Sequence, residues 1–123
     1  MRPDERDTAY LWDMLEAVRA ILDYTRDMDM QAFVAAGRDA ELVRMAVERQ
    51  LEILGEAARR ISSAFRDAHP ELPWREMVGL RNVISHQYNS VDYGAIYRIV
   101  RDRMPELITL LEPLVPPAPP MGE

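Results

Sequence analysis

Apolar side chains along this chain recur every third or fourth position, the spacing by which an α-helix turns one face toward a core. Leu11, Leu15, Val18 and Leu22 form the first stripe, bordered by Ile21 and Thr25, while Asp13, Glu16 and Arg19 point elsewhere. This predicts a helix from Asp4 to Met28. A short helix follows over Met30 to Ala36, with Gly37 as its C-terminal cap. The next pattern is long, Ala40 to Ala68, with Val43, Ala46, Val47, Gln50, Leu54, Ala57, Ile61 and Ala64/Phe65 inward. Arg44, Glu48, Glu52, Arg59, Arg60 and Arg66 fall mostly outward.

His69-Pro70-Glu71-Leu72-Pro73 then breaks the period, because each proline lacks an N–H and restricts its predecessor. Pro73 suits the first turn of a helix from Trp74 to Gln87. Asn89-Ser90 makes a turn, and Asp92 caps a last helix with Ile96, Ile99, Val100, Met104, Leu107, Leu110, Leu111 and Leu114 inward. Pro105 interrupts that helix, but the apolar period resumes after it, so a kink is expected there rather than an end. No strand-like alternation and no internal repeat occurs. The fold class that follows is all-α, an up-and-down four-helix bundle with one short additional helix, over residues 1–114. Residues 115–123 are a proline-rich tail expected to be extended or disordered.

Composition narrows the setting. A chain of 123 residues, 48% of them apolar, makes one domain with a real core. There is no cysteine, which removes disulfides, thiol nucleophiles and zinc-finger ligand sets. No apolar run is long enough to span a membrane and the N-terminus is polar, so no membrane association and a cytoplasmic location are expected. A net charge of −6 argues against a protein that coats nucleic acid broadly, yet leaves room for a small basic cleft. All 15 basic residues are arginine. The simpler reading is codon bias in a GC-rich genome; the functional one is that fixed guanidinium forks are at hand for carboxylates and phosphates.

Chemistry concentrates in Leu80-Arg81-Asn82-Val83-Ile84-Ser85-His86-Gln87-Tyr88. His86 is one of only two histidines. Arginine grips a phosphate through paired N–H donors, and histidine moves protons near neutral pH, so Arg81 and His86 suffice for metal-free RNA cleavage. On a helical wheel Met77, Leu80, Val83 and Ile84 form the buried side, whereas His86 lies about 140° from Arg81 and Asn82 between them. Both avoid the core, on a polar face with Asn82 and Ser85. An arginine five positions before a histidine arises by chance in about one shuffle in four of this composition, so spacing alone equally fits a solvated helix face.

The surrounding residues add specificity. Pro73-Trp74-x-x-Met77-Val78-Gly79-Leu80-Arg81-Asn82-x-x-x-His86-x-Tyr88 followed by Val91-Asp92, after a long helix carrying Ala46-Val47-Glu48 and Leu51-Glu52-Ile53-Leu54-Gly55-Glu56-Ala57-Ala58, resembles HEPN-domain proteins of the HepT group. The resemblance runs from about Asp7 to Leu114. It implies a toxin of a toxin–antitoxin pair, acting as a metal-independent endoribonuclease in a homodimer. RNA is then the substrate, with no metal or other cofactor. Arg81 and His86 match the family's catalytic positions, with Asn82 and Ser85 as supporting candidates. It further implies a partner antitoxin, a minimal nucleotidyltransferase, that blocks the toxin by transferring AMP from ATP to the tyrosine matching Tyr88. The alternative is a catalytically silent HEPN subunit assisting a nucleotidyltransferase; a plain dimeric helical scaffold is a third reading.

Other residues have simpler readings. His69 beside Pro70 reads as a turn or capping residue, and Trp74 as a core anchor. Tyr93 and Tyr97, with Tyr88, could offer a base-stacking surface, or more simply pack inward or at a dimer seam. Glu48, Glu52 and Glu56 share one helix face, which reads as a solvated or salt-bridged stripe. The sharper alternative is that Glu56 turns to the site helix and pairs with Arg81.

Overall fold

Amphipathic helices of this kind gain most of their stability from burying one face against another, each Leu- or Met-sized side chain contributing about 1.5–3 kcal/mol. The computed structural model describes residues 3–85 and 92–116. They form α1 (Pro3–Tyr24), α2 (Met30–Phe33), α3 (Arg38–Arg60), α4 (Ser63–Ala68), α5 (Trp74–Ser85) and α6 (Tyr93–Leu111), then a 3-10 turn over Glu112–Leu114. No strand occurs among the described residues, and the expected all-α, HEPN-like bundle is what forms. Its long helices are α1, α3, α5 and α6. The core joins Leu11, Met14, Leu15, Val18 and Ile21 of α1 to Val47, Leu51, Leu54 and Ala58 of α3, Met77 and Leu80 of α5, and Ile96, Val100, Met104, Leu107 and Leu111 of α6.

α3 is central, packed on α1 along one side and α5 along another. That double burden rotates its buried face from the one read in the sequence. Val47, Leu51, Leu54, Ala57 and Ala58 are buried, while Val43, Ala46 and Gln50 are only half-buried. A single-face reading could not place Leu51 and Ala58, because it assumed one neighbour. Leu42 and Met45 are left exposed on the opposite side. Arg44, expected outward, turns in. Its Nη1 donates to the carbonyls of Phe33 and Ala35, both at 2.8 Å, and its guanidinium lies 4.7 Å over the Tyr93 ring.

Three boundaries move for identifiable reasons. α1 stops at Tyr24, four residues before the expected Met28. There the Thr25 hydroxyl donates to the Ile21 carbonyl at 2.8 Å, and Asp29 starts a new helix by accepting from the Ala32 N–H. Gly37 is not the cap of the short helix but precedes α3 as its N-cap, at φ +112°, a region that disfavours a β-carbon. The single helix expected to Ala68 breaks at Ile61. Buried Asp7 of α1 accepts from the Ser62 N–H at 2.9 Å and its hydroxyl at 2.6 Å, and the Ser62 oxygen caps α4 through the Phe65 N–H. A carboxylate 55 residues away thus supplies a second short helix that the period did not reveal.

Two expectations for the last helix hold: Asp92 caps α6 by accepting from the Ala95 N–H at 3.0 Å, and α6 runs on through Pro105. Of the positions expected inward, Ile96, Val100, Met104, Leu107 and Leu111 are buried, whereas Ile99, Leu110 and Leu114 are only half-buried. Of the tail, residues 117–123 lie outside the described residues.

Candidate functional site

The loop before α5 is fastened by its aromatic residues. The Trp74 indole N–H donates to the His69 carbonyl at 2.9 Å, and the half-buried ring meets Phe65 edge-on. His69 is the turn residue expected of it: its N–H closes α4 on the Arg66 carbonyl, its ring lies 4.3 Å from Phe65, and Nδ1 is 3.2 Å from Glu71. Pro73 sits just outside α5, not within its first turn, and its carbonyl accepts from the Met77 N–H. With the helix start fixed, the buried positions Met77 and Leu80 set its rotation. Arg81 and Asn82 therefore face away from the core, and both are exposed as the wheel requires.

Of the other candidates, Ser85 is the last described helical residue of α5. His86 and Tyr88 lie outside the described residues, as does the Asn89-Ser90 turn.

α3 and α5 come close together at Gly55. A β-carbon there would stand 3.2 Å from the Met77 carbonyl oxygen and 3.4 Å from the Arg81 amide nitrogen. The next residue, Glu56, thereby reaches Arg81: its Oε2 accepts from Arg81 Nη1 at 3.2 Å. Glu56 also accepts from Arg59 Nη2 at 2.7 Å and Arg60 Nε at 2.9 Å. Those two closer guanidiniums, Arg59 first, hold the Glu56 carboxyl down at about 2. Both readings of the glutamate stripe hold in part: Glu56 pairs with Arg81 and with Arg59 and Arg60 of its own helix, while Glu52 stays exposed with Arg49 at 3.6 Å. Glu48 differs from both. One of its oxygens is buried with no hydrogen-bond partner among the described residues, and burial, then Glu52, pushes its carboxyl up against the opposing pull of Arg44.

These residues border a cleft of about 490 Å³ lined by Arg49, Arg60 and Arg81, by Asp13, Glu52 and Glu56, and by Tyr10, Ile53 and Ala57. Its three guanidiniums can meet phosphate oxygens, and its acids keep it from being a uniformly basic trough. The sequence pattern puts Arg60 and Asp13 on outward faces and singles out neither Arg49 nor Tyr10. The Glu56, Arg59, Arg60 spacing was a usable signal for an i, i+3, i+4 ion cluster. The contribution of α1 through Tyr10 and Asp13 was not, since only packing brings it there. Tyr97, by contrast, is buried, with its hydroxyl donating to the Met28 carbonyl at 2.6 Å and its ring 5.5 Å from Phe33, so it packs inward.

Residues 14–114, which include α3, the cleft arginines and all of α5, match the family model described as Ribonuclease HepT-like. The chain belongs to the HepT-like ribonuclease family. It is 40% identical over 99 residues to an inferred RNase of Methanocaldococcus jannaschii, covering 80% of this chain and 87% of that one. It is 37% identical over 98 residues to the "Probable ribonuclease HepT" of Thermococcus cleftensis, covering 80% and 86%. No solved structure matches it significantly. For this HepT-like chain, RNase activity is supported at the level of the family. Among the described residues, no helix is long and apolar enough to cross a membrane.

Proposed function

We propose that this HepT-like protein is a metal-independent endoribonuclease toxin that cleaves RNA with Arg81 and His86. The observation that carries the reading is the position of Arg81, exposed on α5 at the rim of a cleft, within a chain whose family is one of ribonucleases. RNA brings its own nucleophile. As the 2′-oxygen bonds to phosphorus, its proton passes to a base, the P–O5′ bond breaks, and the leaving 5′-oxygen takes a proton. A 2′,3′-cyclic phosphate and a 5′-hydroxyl result. Imidazole side chains exchange protons near neutral pH, so His86 serves as base or acid. Arg81 grips the scissile phosphate and answers the charge that grows on it. Asn82 and Ser85 support the phosphate or the imidazole. In a homodimer that apposes two such motifs, one His86 acts as base and the other as acid.

Control in this reading comes from a minimal nucleotidyltransferase antitoxin that transfers AMP from ATP to Tyr88, releasing pyrophosphate. AMP two residues beyond His86 adds bulk and negative charge near Arg81, which repels and occludes RNA. The test is expression in cells without the antitoxin. Wild type should arrest growth, His86→Ala should not, and co-expression of the nucleotidyltransferase should restore growth to wild type while adding one AMP mass at Tyr88. Arrest by His86→Ala equal to wild type would remove His86 from the chemistry.

A further inference from the structure

Among the described residues Glu56 has four hydrogen-bond contacts from three arginines. Oε2 takes Arg81 Nη1 at 3.2 Å and Arg59 Nε at 3.3 Å; Oε1 takes Arg59 Nη2 at 2.7 Å and Arg60 Nε at 2.9 Å. A carboxylate has about four lone-pair positions, so this one is saturated and its plane is fixed. Three of the contacts come from its own helix. The fourth crosses to α5, 25 residues on. Arg60 in turn interacts with Tyr10 of α1, so the cluster ties α1, α3 and α5 together at the cleft. One negative charge among three guanidiniums leaves a local positive excess. Without it, three like charges would be left to repel one another.

We infer that Glu56 is a positioning residue, which holds the Arg81 guanidinium at the angle needed to grip the scissile phosphate. The inference rests on the proposed role of Arg81. A guanidinium has five N–H donors, enough to serve a carboxylate and a phosphate from different edges. Restraining its Nη1 edge before substrate arrives shortens the reorientation left to the reaction step. The opposite arrangement, in which Glu56 competes with phosphate for Arg81 and restrains the enzyme, requires activity to rise when Glu56 is neutralised. The two differ in sign.

The test compares wild type, Glu56→Gln, Glu56→Ala, Arg81→Ala and the Glu56→Ala/Arg81→Ala double variant of the full chain on one short RNA, with helicity and melting measured alongside. Glu56→Gln keeps the shape and an acceptor oxygen, so it reports even if the alanine variant folds poorly. We expect kcat to fall by roughly 10- to 100-fold in Glu56→Ala with KM little changed, and less in Glu56→Gln. The double variant should be no slower than Arg81→Ala alone. Rates at or above wild type in both Glu56 variants, with Arg81→Ala inactive, would overturn the inference while leaving the Arg81 assignment intact. A loss confined to KM would overturn it as well. Wild-type cleavage by Arg81→Ala would refute the proposed function itself, and the inference with it.

Discussion

Gly55→Ala should destabilise this protein, whereas Gly79→Ala, a like change in another helix, should stabilise it. Replacing glycine by alanine inside a helix ordinarily gains about 1 kcal/mol. Gly79 on α5 has nothing among the described residues within 4 Å of where its β-carbon would stand, so it should show that gain. At Gly55 the new carbon would lie 3.2 Å from the Met77 carbonyl oxygen, 3.4 Å from the Arg81 amide nitrogen and 3.6 Å from the Arg81 β-carbon. Comfortable contact begins near 3.5 Å, so α5 must retreat by about 0.3 Å, and the nearest two atoms are backbone, with no rotamer to turn aside. Overpacking of this kind costs about 1–3 kcal/mol. Set against the propensity gain, the net is about 0–2 kcal/mol of destabilisation, and the two variants should differ by about 1–3 kcal/mol. The retreat also stretches the Arg81–Glu56 contact from 3.2 Å toward the limit of a hydrogen bond, so Gly55→Ala should slow cleavage where Gly79→Ala does not. Urea unfolding of the three proteins, read by helicity, decides it. If Gly55→Ala is as stable as Gly79→Ala, α3 and α5 do not meet as closely as described and the site's geometry falls with them.

Asp7→Ala should cost about 1.5–3 kcal/mol, because the Ser62 N–H and hydroxyl both donate to that buried carboxylate, and urea unfolding should show it. Glu48→Gln should raise Tm by about 1–3 °C at pH 7, a gain kept small by solvent screening of a half-exposed group. Burial raises the Glu48 carboxyl in the fold above its unfolded value, so its ionisation opposes folding at neutral pH and the gain should shrink as pH falls through that raised value. Glu56 runs the other way: depressed to about 2, it stays ionised through the working range, and its contribution is lost only as pH falls from its ordinary value toward 2. The pH–rate profile should therefore show no step from Glu56 across the working range. A break at pH 3–5 that disappears in Glu56→Gln would contradict this.

Period and punctuation made the bundle legible. Leu11, Leu15 and Val18, the His69–Pro73 break, the Asp92 cap and the continuation through Pro105 were all readable from one strand of text, because each is a local effect. What escaped needed tertiary partners. The Ile61 break depends on Asp7 reaching Ser62, and the buried face of α3 depends on having two neighbours. Arg44 reads as a surface residue until the Phe33 and Ala35 carbonyls and the Tyr93 ring come round it. The candidate site divides the same way. Arg81 and Asn82 were placed on an exposed face by the wheel alone, and the Glu56 pairing was one of two open readings. The cleft needed α1, whose Tyr10 and Asp13 carry no mark of it in the sequence.

The most direct measurement is cleavage of a defined RNA in EDTA by purified wild type, Arg81→Ala and His86→Ala, each shown to be folded by its melting curve. Wild type should cut the RNA and leave 2′,3′-cyclic phosphate and 5′-hydroxyl ends, and both variants should lose activity by at least about 100-fold. Equal cleavage by either variant, or cleavage by wild type that EDTA abolishes, would contradict the account.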